Sequence, residues 1–338
     1  MDFEKPIEML NLADKAEIEG QDFQPKKFND YLGQQELKDK LMLYTKAAAL
    51  RNEALDHVLL FGPPGLGKTT LAQIIANEMN VGIKICTGPM LERTGDLVAI
   101  LSSLEPKEVL FIDEIHRLAT NVEEVLYSAM EQFKVDVIIG QGVGAKSVSL
   151  PLNPFTLIGA TTKTGLISAP LRTRFSITER LDFYTSKDLA QIIYQSSKHL
   201  NINLAESAAL MISKASRGTP RIAKKILRRI RDFAQINNNN IADDNLVAQA
   251  LHFLNIDQEG LTSVDIMILK TMITSFDGGP VGLETLAAMV GEDAETIENV
   301  YEPYLMRQGY IEKTARGRQI PYKTLPYLKN RFIGQKTI

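Results

Sequence analysis

The run Phe61-Gly62-Pro63-Pro64-Gly65-Leu66-Gly67-Lys68-Thr69-Thr70 decides the fold of this chain. It matches the pattern GxxxxGK[ST] and stands between an apolar stretch, His57–Phe61, and an amphipathic one carrying Leu71, Ile74, Ile75 and Met79. Strand, glycine-rich turn and helix, in that order, are the setting in which this pattern cradles phosphate. Gly65 and Gly67 let the backbone curl so that successive N–H groups converge on an anion, and the start of the following helix adds partial positive charge. Lys68 is placed to reach the β- and γ-phosphates of ATP. Thr69, with Thr70 beside it, is placed to offer a hydroxyl to Mg²⁺. A turn that merely connects strand to helix is the bland alternative, and the complete pattern in this context argues against it.

A second run, Val109-Leu110-Phe111-Ile112-Asp113-Glu114, places two carboxylates at the end of an apolar strand, where open α/β sheets hold their ligands. Asp113 is expected to hold the Mg²⁺ shell, and Glu114 to orient and deprotonate an attacking water. A residue set to activate water favours hydrolysis over phosphate transfer to a hydroxyl, which weakens the reading as a small-molecule kinase.

Outward from these motifs, residues 57–181 alternate short apolar runs with helical patterns, the rhythm of a parallel α/β sheet. Strands are predicted at His57–Phe61, Ile83–Thr87, Val109–Ile112, Thr156–Ala160 and Ile177–Leu181. Asn121 is expected to cap a helix bearing Val122, Val125, Leu126, Ala129, Met130 and Phe133. One stretch breaks the rhythm. Val135, Val137 and Ile139 alternate, Gly140–Lys146 is glycine-rich, and Val148 and Leu150 alternate again, which predicts an inserted β-hairpin.

After Ser186 the strand signals vanish. Ile222, Ile226, Ile230 and Phe233 mark the apolar face of a basic helix in a small helical domain. A third unit has a helix near Val264–Phe276, a turn at Asp277-Gly278-Gly279-Pro280, a helix from Leu283, a helix near Ala294–Gln308, and a basic, strand-like tail. Helix–turn–helix with a β appendage predicts a winged helix. The expected domains are residues 1–184, 185–255 and 256–338.

The 338 residues include one cysteine, Cys86, so no internal disulfide is possible and a reducing cytoplasm fits. No segment approaches 18 consecutive apolar residues, so no membrane span is expected. The net charge of −3 hides an uneven distribution. From Arg307 onward eight basic residues face a single acid, Glu312, a local charge of about +7. Lys313, Arg316 and Arg318 surround Gly317, where a wing tip would turn, and are the expected DNA contacts. His116 follows the carboxylates, but with four histidines and no ligand spacing it is expected to pack or hydrogen-bond, not to bind metal.

Together, GPPGLGKTT, LFIDEIHRL, LIGATT, APLRTRF and RGTPRIA resemble the AAA+ ATPases and, more narrowly, the Holliday-junction branch-migration motors among them. The likeness runs from Phe28 to Arg318. It implies an AAA+ P-loop core with an inserted hairpin, a helical lid and a C-terminal winged helix. By this resemblance Thr162 is sensor 1, Arg174 is an arginine finger acting on ATP of the neighbouring subunit, and Arg221 is sensor 2. It also implies nucleotide contacts from Phe23, Gln24, Tyr184 and the segment Glu131-Gln132-Phe133. Gln24 stands where an arginine is common and Gln132 where an acid is usual; Lys313 and Ala294 also depart from the pattern. The implied partners are junction and duplex DNA, RuvA docked on hairpin 134–152, the resolvase RuvC, and other copies of the chain in a homo-hexamer. A nucleotide-switched loader or initiator on DNA is the alternative.

Overall fold

The computed structural model describes residues 24–139, 146–237 and 240–334. Two compact units emerge. The first holds the described residues up to Asn201 together with Gly218–Lys224, and the second holds Ile202–Arg217 together with the chain from Lys225.

In the first unit, β1 (Val58–Phe61), β2 (Ile83–Thr87), β3 (Val109–Asp113), β6 (Thr156–Thr161) and β7 (Ile177–Arg180) form one parallel sheet in the order β2-β3-β6-β1-β7. β4 (Lys134–Ile139) and β5 (Lys146–Pro151) pair separately. α1 (Gln35–Arg51) precedes β1, crossovers run through α2 (Lys68–Met79), α3 (Thr94–Ser102), α4 (Thr120–Gln132) and α5 (Ala169–Thr173), and α6 (Ser186–His199) follows the sheet. The central strands are covered on both faces, so they read as unbroken apolar runs rather than alternating ones. Val109–Ile112 and all of Thr156–Thr161 are buried.

Two local expectations change. α4 begins at Thr120 with Ala119 at the cap position, and no side chain caps it, so Asn121 lies inside the first turn. β4 and β5 pair antiparallel with Val135 opposite Leu150 and Val137 opposite Val148, which puts Lys146 in a strand and not in the tip. The remaining tip residues, 140–145, lie outside the described residues. Val135 is buried in the domain core and Val137 packs against it. Val148 and Leu150 stay exposed.

The second unit contains α7 (Glu206–Ala215), most of α8 (Pro220–Asn237), α9 (Asp244–Phe253), α10 (Ser263–Phe276) and α11 (Leu283–Val290). Two short strands, β8 (Asn203–Leu204) and β9 (Ile241–Ala242), pair in parallel among these helices, a feature too brief to mark the sequence. The helix expected at Ala294–Gln308 is broken into α12 (Ala294–Thr296), a π-helical turn (Ile297–Tyr301) and α13 (Glu302–Arg307). Pro303, early in α13, has no N–H to continue the α-helical ladder, and a widened turn accommodates that. A small antiparallel wing follows, β10 (Glu312–Thr314) with β11 (Gly317–Gln319). The tail beyond it is helical, not strand-like: α14 (Leu325–Phe332) sets Leu325, Leu328 and Phe332 on one face against the core of this unit.

Candidate active site

The glycine loop leaves the carboxyl end of β1. Gly62 sits at φ 142° and donates its N–H to the Thr161 carbonyl at 3.2 Å; a Cβ there would lie 2.4 Å from the Leu181 carbonyl oxygen. Gly65, at φ 78°, leaves room for Arg221, whose Cβ would be 2.9 Å from an added methyl, and its carbonyl accepts the Arg221 N–H at 3.3 Å. Arg221 therefore packs directly on the phosphate loop. Lys68 is buried, and its ammonium donates to the carbonyls of Gly62 (2.9 Å) and Pro63 (3.0 Å). Burial pushes its pKa down, the negative Asp113 opposes that, and the positive Arg221 adds to it. Thr69 and Thr70 are half-buried in the first turn of α2.

β3 and β1 flank β6, so three functional elements share one sheet edge. Asp113 ends β3 and accepts the Glu114 N–H at 2.9 Å. Glu114 adopts a left-handed backbone (φ 50°), and its carboxylate pairs with Arg117 at 3.0 Å. Thr162 follows β6 and is exposed, between the carboxylates on one side and the lysine loop on the other. Its neighbour Thr161 is buried and shares a 2.9 Å hydrogen bond with His116 Nδ1, the hydrogen-bonding role expected for that histidine.

Beside the loop lies a narrow cleft lined by Tyr31, Leu32, Leu66, Gly67, Thr70 and Tyr184, with Ile192, Gln195, Pro220 and Lys224. Tyr184 donates its hydroxyl to the Tyr31 oxygen at 2.8 Å and its backbone N–H to the Gly218 carbonyl at 3.0 Å. Burial raises the Tyr31 phenol well above its ordinary value and pushes Tyr184 up to about 12, so both stay neutral. A largely apolar cleft with two tyrosines next to a phosphate loop, with Asp30 and Lys224 also in its lining, suits a nucleotide base. Tyr31 and Leu32 were not anticipated; their signal was Tyr31-Leu32-Gly33, where Gly33 (φ 74°) leaves the space that Tyr184 fills. Gln24 is exposed, and Phe23 lies outside the described residues.

The other expected nucleotide residues sit at the opposite sheet edge. Phe133 packs its ring 5.9 Å from Phe155 and 6.4 Å from His57, residues that immediately precede β6 and β1. Arg174 comes three residues before β7, whose first residue, Ile177, pairs with Val58 at the start of β1. It forms an ion pair with Glu131 at 3.1 Å and lies 4.5 Å over the Tyr127 ring. Gln132 is exposed at the end of α4. Glu131, Gln132, Phe133 and Arg174 thus start from the amino ends of the strands, while Lys68 lies past the carboxyl end. At about 3.3 Å per residue the four residues of β1 separate these edges by roughly 13 Å.

Residues 23–181 match the Holliday junction DNA helicase RuvB P-loop domain, residues 184–257 the RuvB AAA lid domain, and residues 258–329 the RuvB C-terminal winged helix domain. The Holliday junction branch migration complex subunit RuvB of Fusobacterium nucleatum subsp. nucleatum is 49% identical over 326 residues, covering 96% of this chain and 98% of its own. The chain belongs to the RuvB family. Among solved structures, the Thermotoga maritima RuvB Holliday junction branch migration motor is 48% identical, with a TM-score of 0.78, covering 90% of this chain and 98% of that one. A substituted variant of the Thermotoga protein aligns with a TM-score of 0.80 at 48% identity, covering 91% of this chain and 99% of its own. A P-loop ATPase domain of the AAA+ class, a lid and a winged helix are thus the family's parts.

The winged helix of this family member holds Lys313, Arg318, Lys329 and Arg331 of its basic tail in ion pairs. Lys313 pairs with Glu298 (2.8 Å) and Glu302 (3.1 Å), and Arg318 with Glu302 (2.6 Å) and Glu298 (3.2 Å). Glu302 is only 1% exposed. Lys329 pairs with Asp277, and Arg331 with Asp257 and Glu259. Part of the local excess of positive charge is therefore met by acids that lie outside this stretch of sequence. Arg316 differs: it is exposed at the wing turn, and among the described residues no ion pair engages it. No helix of the described residues is long and apolar enough to cross a membrane.

Proposed function

We propose that this chain is an ATP-driven motor that moves duplex DNA through a Holliday junction. Within it, Lys68 and the loop N–H groups bind the β- and γ-phosphates, Tyr31, Leu32 and Tyr184 surround the base, and Arg221 caps the loop. Thr69 and Asp113 would hold Mg²⁺, which supplies positive charge to the phosphate oxygens. Thr69, at the start of α2 after β1, and Asp113, at the end of β3 in the same sheet, offer a hydroxyl and a carboxylate, the hard oxygen donors that suit this ion. Glu114 accepts the proton of the attacking water, and Thr162 orients that water from between them.

The observation that carries the reading is the division of the site between two sheet edges. Arg174 cannot serve the loop of its own sheet across roughly 13 Å of strand. It serves a neighbour, with Glu131 holding it when disengaged, and copies joined head to tail in this way close into a ring, proposed as a homo-hexamer. Gln132 and Phe133 belong to the same donated face. The large ATPase part is assigned to residues 1–184, the lid to 185–255 and the winged helix to 256–338. The exposed Val148 and Leu150 on hairpin 134–152 form the docking site for RuvA, and RuvC acts on the same assembly. The test is ATP hydrolysis with and without a four-way junction and a RuvA partner. Turnover stimulated by the two together is expected; equal turnover without them contradicts the assignment.

A further inference from the structure

Nine residues, Leu254–Thr262, carry the chain from α9 of the lid to α10 of the winged helix. A joint of that length between domains is ordinarily solvated and mobile. Here the carboxylates of Asp257 and Glu259 are each held by several partners. The Asp257 carboxylate accepts the N–H groups of Glu259 (2.9 Å) and Leu261 (2.8 Å) and the guanidinium of Arg331. The Glu259 carboxylate accepts the hydroxyls of Tyr310 and Tyr327 (the latter at 3.2 Å) and also pairs with Arg331, while its carbonyl accepts the Tyr304 hydroxyl. Burial works to raise the Glu259 pKa, and the hydrogen bonds from Tyr310 and Arg331 outweigh it, leaving the carboxyl below its ordinary value.

From the lid side, Arg217 at the end of α7 enters the same cluster. It donates to the Gly260 carbonyl at 2.7 Å, pairs with the fully buried Asp265 of α10, and lies 4.5 Å over the Tyr304 ring. Arg307 stacks on that ring as well, at 5.1 Å, and donates to the Arg217 carbonyl at 2.7 Å. Gly260 is at φ 81°, and a Cβ there would lie 2.6 Å from the Ala215 carbonyl oxygen, so the loop is pressed against the end of α7.

We infer that Arg217 and Glu259 are positioning residues that clamp the distal part of the lid and the winged helix into one rigid lever. Arg217 is also four residues before Arg221, the residue packed on the phosphate loop. Within the second unit, a clamped joint moves the winged helix with the lid helices, whereas a flexible attachment would let the two drift apart. The consequence for DNA movement rests on the proposed function, whereas the clamp itself does not.

Two measurements on the full-length protein test this. First, spin labels on exposed positions of α7 and α11 (Lys214 and Glu284 replaced by cysteine) report the distance across the joint in ADP and in a slowly hydrolysed ATP analogue. One narrow distribution, the same in both, is expected for the parent, and a broadened one for Glu259→Ala. Tyr327→Phe, which removes a single hydroxyl, should broaden it less and serves if Glu259→Ala does not fold. A broad or nucleotide-dependent distribution in the parent, or variant distributions identical to it, overturns the clamp. Second, Glu259→Ala should hydrolyse ATP without DNA within about twofold of the parent, yet move a four-way junction at least fivefold less per ATP consumed. Equal coupling contradicts the lever. If the parent itself moves no junction, the functional reading fails, and the distance measurement still decides the clamp.

Discussion

The carboxylate of Glu114 is held 3.0 Å from the guanidinium of Arg117, one turn further along the chain. In this arrangement the proposed base is tied to a cation on its own segment. The pair is about half exposed on both sides, so it is weak and readily exchanged for a water.

The expected consequence separates the two residues. Glu114→Gln keeps the shape and loses the base, which contributes roughly 10²–10⁴ in rate. It should bind ATP and scarcely hydrolyse it. Arg117→Ala should hydrolyse within a few-fold of the parent, because the ion pair restrains the base without making it. Steady-state turnover with a parallel nucleotide-binding titration checks both. Near-parental hydrolysis by Glu114→Gln would remove Glu114 from its role.

A second prediction concerns the wing. Arg316→Ala should weaken binding to junction and plain duplex alike and lower the salt-dependence slope by about 0.9, the increment for one phosphate no longer neutralised. Arg318→Ala should act differently, because it leaves the buried Glu302 short of its closest partner. A cost of about 3 kcal/mol in the stability of the second unit is expected, toward the low end for a broken buried pair, since Lys313 remains. Duplex affinity over a salt series and urea denaturation measure the two effects. An unchanged slope for Arg316→Ala would detach the wing tip from DNA.

What could be read beforehand was whatever sits close together in the chain. The loop Gly62–Thr69, the carboxylates after β3 and the five core strands are each set by contiguous residues, and the structure has them as expected. Tyr31 and Tyr184 meet across 153 positions, and Arg331 reaches Asp257 across 74, so neither pairing leaves a local mark. For the same reason a count of charges near Arg316 overstated the free positive surface. α14 replaces the strand-like tail expected there, although Leu325, Leu328 and Phe332 carry helical spacing.

His57 gives a pH prediction. Its Nδ1 accepts the Leu157 N–H at 2.9 Å, and its Nε2 faces the Met130 carbonyl at 3.1 Å, so the buried ring is neutral with its proton on Nε2. Burial lowers its pKa from 6.5, more than the Met130 carbonyl and Asp56 raise it. The folded state thus resists a proton that the unfolded chain accepts. Stability is full above the unfolded value and falls as pH drops from there through the folded one. His57→Asn, which keeps an acceptor and cannot be protonated, should be less stable at about pH 7.5 but lose less between about pH 7.5 and 5.5, the window around the unfolded value. Urea midpoints at the two pH values provide the check, and equal losses in both proteins would refute it.

The sharing of each ATP site between two subunits is tested most directly by mixing two inactive proteins. Arg174→Ala should bind ATP and hydrolyse it roughly 10³–10⁵ times more slowly, the usual weight of an arginine finger. Lys68→Ala should fail to bind. Combined in one ring, the first offers intact loops and the second intact arginines, so some sites become whole. The measurement is ATP-dependent movement of a four-way junction by the mixture, with RuvA present and mixed rings verified by mass. Partial recovery of hydrolysis and junction movement is predicted; mixed rings as inert as either parent variant would contradict the account.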